Sequence, residues 1–185
     1  LENVVMTKKW EKMFNDAVGY QPIRINSNLV SAQVRKRLYW TNIQVDGQPE
    51  DKGILLKDIL EPSVSKNHYI SESKYAFIER NGVNIKLNKQ KSTCLSASFW
   101  KQGKQECINL ISDREFDLEK IADINHKDVY RKFTPLECER LQTVPDNYTY
   151  TPYGKRMMSD SQRYKMVGNG WTIDVICHLL KNLDK

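Results

Sequence analysis

The apolar positions near the start of the chain change from helical spacing to strand spacing. Five of them recur every three or four residues: Trp10, Met13, Phe14, Ala17 and Val18. Gly19 follows, so we predict an amphipathic helix that packs this stripe on the core and ends at the glycine. Apolar alternation in residues 20–30 and an apolar run in residues 37–43 predict two strands joined by a basic turn. This order is typical of the second half of an α/β nucleotide-type domain.

Residues 44–130 have a different pattern, with short apolar runs separated by glycine and proline. We therefore expect short strands and loops there. Farther on, residues 157–167 predict a short helix and residues 168–171 a turn. Thr172 is the predicted N-cap of a last helix. The apolar residues expected to face a core in that helix are Ile173, Ile176, Leu179, Leu180 and Leu183.

The clearest helix signal is capping chemistry in the last third of the chain. Thr134 is a good N-cap, Pro135 suits the first helical position, and Glu137 stands where a capping box needs an acid. Pro145 then stops the helix. We predict a capped helix within residues 134–144, and on these signals alone a structural role is the ordinary interpretation.

Composition and charge favour a globular protein with a polyanionic partner. The 185 residues are 39% hydrophobic and carry a formal net charge of +6, which suits nucleic-acid binding. Basic residues are concentrated in residues 64–104, which contain eight Lys or Arg and two Glu. The sequence shows no apolar run of about 18 residues and no basic stretch ahead of an apolar one, so we expect neither a membrane nor a secreted protein. Its cysteines and histidines lack metal-ligand spacing, so we expect no metal site.

Beyond its capping chemistry, the helix resembles a conserved block of a known enzyme family. Residues 131–146 closely resemble the ninth block of the cytosine-5 DNA methyltransferases, usually Arg-x-Leu-Thr-x-Arg-Glu-x-x-Arg-Leu-Gln followed by Pro-Asp, with Leu136 in place of the second arginine. Residues 92–98 are similar to the Thr-Leu-Thr-Ala stretch of the family's recognition region. Three further stretches resemble other blocks, in the family's order: Glu2-Asn3-Val4, Gln33-Val34-Arg35-Lys36-Arg37 and Gly168-Asn169-Gly170-Trp171-Thr172.

The resemblance implies a role for each of these three stretches. Glu2 would hydrogen-bond the Watson-Crick edge of a flipped cytosine and supply the proton at N3. Gln33, Arg35 and Arg37 would contact DNA, the two arginines holding the cytosine O2 and nearby phosphates. The residues expected to bind the methyl donor S-adenosylmethionine are Asn169, Gly170 and Trp171. Without the resemblance, the ordinary interpretation of the three stretches is a surface glutamate, a solvated basic turn and a glycine turn.

Two blocks that the family's chemistry requires do not occur in the sequence. No cysteine follows a proline, and there is no Phe-x-Gly-x-Gly loop. We therefore expect the C-terminal portion of a DNA (cytosine-5)-methyltransferase, as a shortened chain or a subunit of a split enzyme. It would be inactive alone and would work with the N-terminal catalytic half in cis or in trans. The alternative is a non-catalytic DNA-binding or regulatory subunit derived from the same family; an unrelated RNA-binding domain lacks its aromatic sheet signature here.

The resemblance also implies an α/β fold with two parts. These are a partial S-adenosylmethionine-dependent, Rossmann-like methyltransferase domain and a small irregular α+β target-recognition domain. We assign residues 1–43 to the second half of the catalytic domain, 44–155 to recognition, including the capped helix, and 156–185 to a segment returning to the catalytic domain. The side chains expected to contact double-stranded DNA within the recognition domain are Lys86, Lys89 and Lys91.

Two expectations concern the setting of the protein. A fragment of this kind leaves sheet edges and the apolar face of its last helix bare, so it is expected to dimerise or exchange elements. A lean recognition insert without an attached regulatory domain favours a cytoplasmic protein of prokaryotic or phage origin.

Overall fold

The computed structural model describes residues 1–80, 85–87, 90–98, 108–112, 130–153 and 156–183. Its first layer is an antiparallel sheet in the order β1-β3-β2, made of β1 (Glu2–Val4), β2 (Ile23–Asn26) and β3 (Lys36–Tyr39). Both strands predicted in this part are confirmed, although each is shorter than expected. Residues Ser27–Leu29 form a 3-10 turn because the Asn26 side chain accepts a hydrogen bond from the Asn28 amide.

Helix α1 (Lys8–Val18) is also confirmed, and it ends at Gly19 in the left-handed conformation, with φ of 80°. Its predicted packing is wrong, because no residue of α1 is buried and Trp10 and Met13 are each about half exposed. The helix contacts the rest of the chain through other side chains. The Phe14 ring lies 5.6 Å from the Trp40 ring, and Trp40 Nε1 donates to Asn15 Oδ1 at 2.7 Å. Phe14 of the predicted stripe therefore packs on the protein, whereas Trp10, Met13, Ala17 and Val18 are exposed.

The described part of the middle of the chain consists of short elements, as predicted. They are the helix α2 (Glu72–Arg80) and the strands β4 (Ile85–Leu87), β5 (Ile108–Ser112) and β6 (Tyr130–Arg131). Strand β5 pairs in parallel with β4 and antiparallel with β6. A Tyr69–Arg131 bridge ties this sheet to the loop before α2.

The capped helix is α3 (Pro135–Leu141), and both hydrogen bonds of its capping box are formed. Thr134 Oγ1 accepts from the Glu137 amide at 3.1 Å, and the Glu137 carboxylate accepts from the Thr134 amide at 2.9 Å. The helix ends at Leu141, three residues earlier than predicted. Thr143 adopts a φ of 53°, which turns the chain before Pro145 can act as a stop signal.

The C-terminal part contains a β-hairpin and two helices. Strands β7 (Pro152–Tyr153) and β8 (Arg156–Met157) pair, and α4 (Asp160–Asn169) and α5 (Ile173–Leu180) follow. The predicted helix start at residue 157 is wrong, because Ser159 caps α4 through a capping box. Gly168 and Asn169 belong to the last turn of α4 rather than to a loop.

Two buried clusters hold the layers together. The first takes residues from all three predicted segments: Ala32, Leu56, Ile59, Leu95, Phe133, Cys138, Leu141, Tyr164 and Val167. The second joins the first sheet to α5 and contains Ile25, Val30, Tyr39, Val175 and Leu179. The core face of α5 is therefore Val175 and Leu179, whereas Ile173, Leu180 and Leu183 are exposed, contrary to prediction. None of the helices among the described residues has the length and apolar character needed to span a membrane.

Candidate functional site: an acid and two arginines beside strand β3

The site begins with a diagonal pair across two antiparallel strands. Glu2 lies opposite Tyr39, and Arg37 lies two residues before Tyr39, so their side chains share one face of the sheet. Arg37 Nε contacts Glu2 Oε1 at 2.9 Å, and the two side chains are 14% and 19% exposed. The pair is therefore sheltered but still open to a ligand. We name Glu2, Arg35 and Arg37 the acid-arginine cluster.

Arg35 completes the cluster from the segment that enters β3. It is 5% exposed, and its guanidinium donates to the carbonyls of Leu95 at 2.9 Å and of Gly170 at 3.0 Å. Arg35 thus ties three distant parts of the chain together. The side chains of Arg35 and Arg37 lie close together, because both guanidiniums reach the sulfur of Cys94.

Segment 90–98 lies along the chain that leads into β3. The Ser92 amide donates to Ala32 O at 2.7 Å, and the Val34 amide donates to Ser92 O at 2.9 Å. The Leu95 amide donates to Gln33 Oε1 at 2.7 Å. These bonds fix the segment on both sides of Cys94, so the Thr-Leu-Thr-Ala-like stretch borders the acid-arginine cluster.

Gln33 does not face a ligand, which corrects its assignment to DNA binding. Its side chain is fully buried, and its Nε2 donates to Leu141 O at 3.1 Å and to Gln142 Oε1 at 3.2 Å. A buried amide must satisfy its own donors and acceptor, and Gln33 does so within the protein. It fixes the distance between segment 90–98 and the end of α3.

Lys91 is likewise turned inward, so its predicted contact with DNA is wrong. Its ammonium donates to the carbonyls of Asn28 at 2.9 Å, of Ser31 at 3.1 Å and of Ile54. An ammonium has three donors, and these carbonyls occupy all three. Lys86 is described only by its backbone in β4, and Lys89 lies outside the described residues. For these two lysines, contact with DNA stays a prediction.

The predicted donor-binding residues lie where α4 meets α5. Asn169 is exposed and Trp171 is 50% exposed, so both side chains are available to a ligand. The Gly170 backbone is already used, because its amide donates to Val167 O and its carbonyl accepts from Arg35 and Gln142. Gly168 has no room for a side chain, since a Cβ would lie 2.2 Å from the Ser96 carbonyl oxygen.

The first amides of α5 cannot receive a carboxylate in this structure. The Ile173 amide donates to Gln142 O at 2.9 Å, and the Asp174 amide donates to Thr143 Oγ1 at 2.9 Å. The Gly170 backbone is bonded within the protein in the same way, so it has no polar group left for the donor, contrary to expectation. Of the three residues expected to bind the donor, Asn169 and Trp171 have exposed side chains, and for these two the role stays a prediction.

Gln142 is a residue that sequence reasoning missed. It is fully buried at the end of α3, and its Nε2 donates to Val167 O at 2.9 Å and to Gly170 O at 3.1 Å. Its Oε1 accepts from Gln33 and from Thr172 Oγ1, the latter at 2.8 Å. The Leu-Gln at the end of the block that residues 131–146 resemble was the available signal. Gln142 connects the acid-arginine cluster to the α4–α5 junction.

Two buried ion pairs hold α3 in place behind the site. Glu137 forms two contacts of 2.9 Å with Arg131, and both side chains are fully buried. Glu139, also fully buried, accepts from Arg163 at 3.1 Å and from the amides of Asn147 and Thr149. Such pairs are stable only when every lone pair is satisfied, as here. We name these two pairs the α3 ion pairs.

Burial raises the pKa of two titratable groups, one near Glu2 and one near the α3 ion pairs. Burial, and then the neighbouring Glu2 carboxylate, raises the pKa of Tyr39 to about 12, so Tyr39 stays protonated at neutral pH. Burial raises the pKa of the Cys138 thiol well above its usual value, so this cysteine is inert as a nucleophile. The described residues contain no cluster of His, Cys, Asp and Glu that could hold a metal ion.

The sequence matches one family model over residues 24–185, that of the C-5 cytosine-specific DNA methylase. No curated protein matches it. Similar folds occur among solved structures. The S. pombe Dnmt2 methyltransferase has a TM-score of 0.71 and 18% identity, with 100% of this chain and 67% of that chain covered.

Two further solved structures show the same likeness. The Entamoeba histolytica methyltransferase EhMeth has a TM-score of 0.69 and 16% identity, with 100% of this chain and 62% of that chain covered. A triple mutant of Spodoptera frugiperda DNMT2 has a TM-score of 0.66 and 19% identity, with 100% and 65% covered. At these identities the likeness shows the fold, and this chain spans 62% to 67% of the length of the three structures.

Proposed function

Because this chain belongs to the C-5 cytosine-specific DNA methylase family, we propose that it is the C-terminal portion of a DNA (cytosine-5)-methyltransferase. The family is one of methyltransferases, and it implies S-adenosylmethionine as the methyl donor. In our proposal this portion supplies the acid directed at N3 of a flipped cytosine, Arg37, which holds this acid, and one rim of the donor site. Arg35 is 5% exposed and bonded within the protein, so its predicted contact with the base and its phosphate is not part of the proposal.

The observation that carries the proposal is the Glu2–Arg37 contact beside Arg35. A carboxylate held by a guanidinium at one oxygen can present its other oxygen to a base edge. Arg37 Nε contacts Oε1 of Glu2, so we assign Oε2 the contact with the Watson-Crick edge. Arg37 positions the acid, and Arg35, which contacts the same Cys94 sulfur as Arg37, donates to Gly170 O at the α4–α5 junction. Glu2 then donates a proton to N3 of the cytosine while the methyl group is transferred to C5.

The donor supplies the electrophilic methyl group when it is bound. Asn169 and Trp171 are the residues we assign to its rim, since their side chains are exposed beside the junction. An amide side chain can hydrogen-bond a polar donor group, and an indole can pack against a purine ring. The Arg35–Gly170 contact joins this rim to Arg35, and the Cys94 sulfur lies between Arg35 and Arg37, which holds the acid, so base and donor would be held by one connected unit.

A nucleophilic cysteine for C6 must come from elsewhere in our proposal. Among the described cysteines, Cys138 is buried, while Cys94 and Cys177 are exposed but follow Thr93 and Ile176 rather than a proline. We propose that an N-terminal half, in cis or in trans, brings the Pro-Cys block and the glycine-rich donor loop. The isolated chain is then inactive.

The outward apolar face of α1 is the surface we assign to that half. Trp10 and Met13 are each more than 50% exposed, and Val4 and Val5 of the neighbouring edge are also exposed. Apolar patches of this kind mark interaction surfaces. A chain that covers 62% to 67% of the length of similar structures supports a partner for this face.

The proposal is tested by replacing Glu2→Gln in the complete methyltransferase that contains this chain. We expect methyl transfer to DNA to fall at least about a hundredfold, because an amide cannot supply the proton. Glu11→Gln is a matched control, since Glu11 is also a partly buried acid paired with an arginine, Arg24. The measurement is single-turnover transfer of a labelled methyl group.

Two results would contradict the proposal. One is a Glu2→Gln enzyme as fast as the Glu11→Gln enzyme, which would favour the non-catalytic DNA-binding or regulatory subunit. The other is turnover by the isolated chain, which would require a nucleophile within these residues.

A further inference from the structure

The thiol of Cys94 lies between the two arginines of the acid-arginine cluster. Its Sγ accepts from Arg35 Nη1 at 3.3 Å and from Arg37 Nη2 at 3.5 Å. We infer that Cys94 is a positioning residue, which sets where the guanidinium of Arg37 stands relative to Glu2. This inference rests on the proposed function, because it concerns the geometry of the acid that the proposal makes catalytic.

The position of Cys94 is fixed by the backbone around it, and its thiol also donates to the Leu95 carbonyl at 3.4 Å. Ser92, two residues earlier, makes two backbone hydrogen bonds with Ala32 and Val34. Leu95, the next residue, is bonded through its amide to Gln33 and through its carbonyl to Arg35. The sulfur is therefore held at a fixed distance from β3, where it accepts a hydrogen bond from each guanidinium.

The two arginines depend on the sulfur to different extents. Arg35 keeps two carbonyl partners without it, those of Leu95 and Gly170. Arg37 has Glu2 at its Nε and the Lys36 carbonyl at its Nη1, and the sulfur is the contact of its Nη2. Removal of the sulfur therefore frees one end of the Arg37 guanidinium. The Glu2 carboxylate loses its orientation, while the fold is retained.

A sulfur atom is a weak acceptor, but it is large and polarisable. In this structure it contacts two guanidiniums at once. Serine in place of cysteine retains an acceptor, whereas alanine and valine remove it. These substitutions separate the acceptor from the volume of the side chain, because alanine is smaller than cysteine and valine is larger.

The test measures methyl transfer to DNA by the complete methyltransferase with Cys94→Ala, Cys94→Val or Cys94→Ser. We expect the alanine and valine variants to lose about tenfold in kcat, the size expected for a hydrogen bond to a charged group. The serine variant should recover to within about threefold of the parent enzyme. Cys177→Ala, a change at another exposed cysteine on α5, should leave kcat unchanged. Thermal unfolding confirms that each variant is folded.

The outcomes separate this inference from the proposed function. If Cys94→Val transfers methyl groups as fast as the parent while Glu2→Gln is inactive, the positioning role is wrong and the proposed function stands. If Cys94→Ser is as slow as Cys94→Val, the acceptor is not what matters and the inference is overturned. If Glu2→Gln is fully active, the proposed function itself fails.

Discussion

The acid-arginine cluster and the α3 ion pairs are built from the same two residue types and behave differently. Both side chains of the Arg131–Glu137 pair are 0% exposed, and two direct contacts and the capping box satisfy its carboxylate. The Glu2–Arg37 pair keeps 19% and 14% exposure and one contact at Glu2 Oε1. A carboxylate whose oxygens are all bonded within the protein is a structural anchor. A carboxylate with one oxygen left to offer can do chemistry.

The positions of the two pairs fit this division. Glu137 and Glu139 face opposite partners on one short helix, so they fasten α3 to β6 and to α4. Glu2 lies on the edge strand β1 and Arg37 on the central strand β3, where Arg37 contacts Cys94 of segment 90–98. The α3 ion pairs fix α3, at the end of which Gln142 donates to Gly170 O. Arg35 of the acid-arginine cluster donates to the same carbonyl, so the ion pairs help to fix the cluster.

The largest effect expected from this contrast is on stability. Glu137→Gln removes the carboxylate that contacts the buried Arg131 guanidinium twice, so we predict a loss of about 3–5 kcal/mol in the free energy of unfolding. Glu2→Gln removes a partly solvated partner and should cost about 1 kcal/mol or less. Urea denaturation of the two variants measures both values. Equal losses would remove the distinction between the two pairs.

A smaller effect is expected at Lys91, which lies in segment 90–98 three residues before Cys94. Lys91→Met keeps the aliphatic stem and removes the donor to three carbonyls, so we predict a loss of about 1–3 kcal/mol in unfolding free energy. Lys36→Met, at an exposed lysine of β3, should change it by less than about 0.5 kcal/mol. The slope of DNA affinity against salt should be the same for Lys91→Met and the parent; a flatter slope would restore Lys91 as a DNA contact.

The smallest effect is a pH dependence from His68, which lies near Tyr164 Oη. Burial, and then the Lys132 charge, lowers the pKa of His68 below its usual value of 6.5. The unfolded chain therefore takes up this proton at a higher pH than the folded chain does. Stability is full above pH 6.5 and falls as the pH drops through the folded pKa. His68→Gln should flatten that part of a stability profile, and a slope unchanged in the variant would contradict the assignment.

The parts of the fold that could be predicted from sequence depend on neighbours in the chain. The capping box of α3 needs only Thr134 and Glu137, three residues apart, and it formed as predicted. Gly19 ends α1 for an equally local reason. Helix α1 shows where such reasoning stops, because periodicity identifies an apolar face but not what covers it.

The parts of the site that could not be predicted depend on contacts between distant residues. Lys91 and Gln33 were expected to face DNA, yet both side chains hydrogen-bond groups of this chain that are distant in sequence. Cys94 meets Arg35 across 59 residues, which no spacing rule covers. The resemblance to a family brought Glu2 and Arg37 together as candidates, and their cross-strand contact is what the structure adds.

We propose that the Glu2–Arg37 pair takes part in catalysis and that the Arg131–Glu137 pair maintains the fold. It is tested most directly by the single-turnover methyl transfer rate per folded molecule of Glu2→Gln and Glu137→Gln in the complete methyltransferase. We predict that Glu2→Gln lowers this rate at least about a hundredfold. We predict that Glu137→Gln lowers it less than about threefold once the unfolded fraction is removed. Similar rates per folded molecule for the two variants would contradict it.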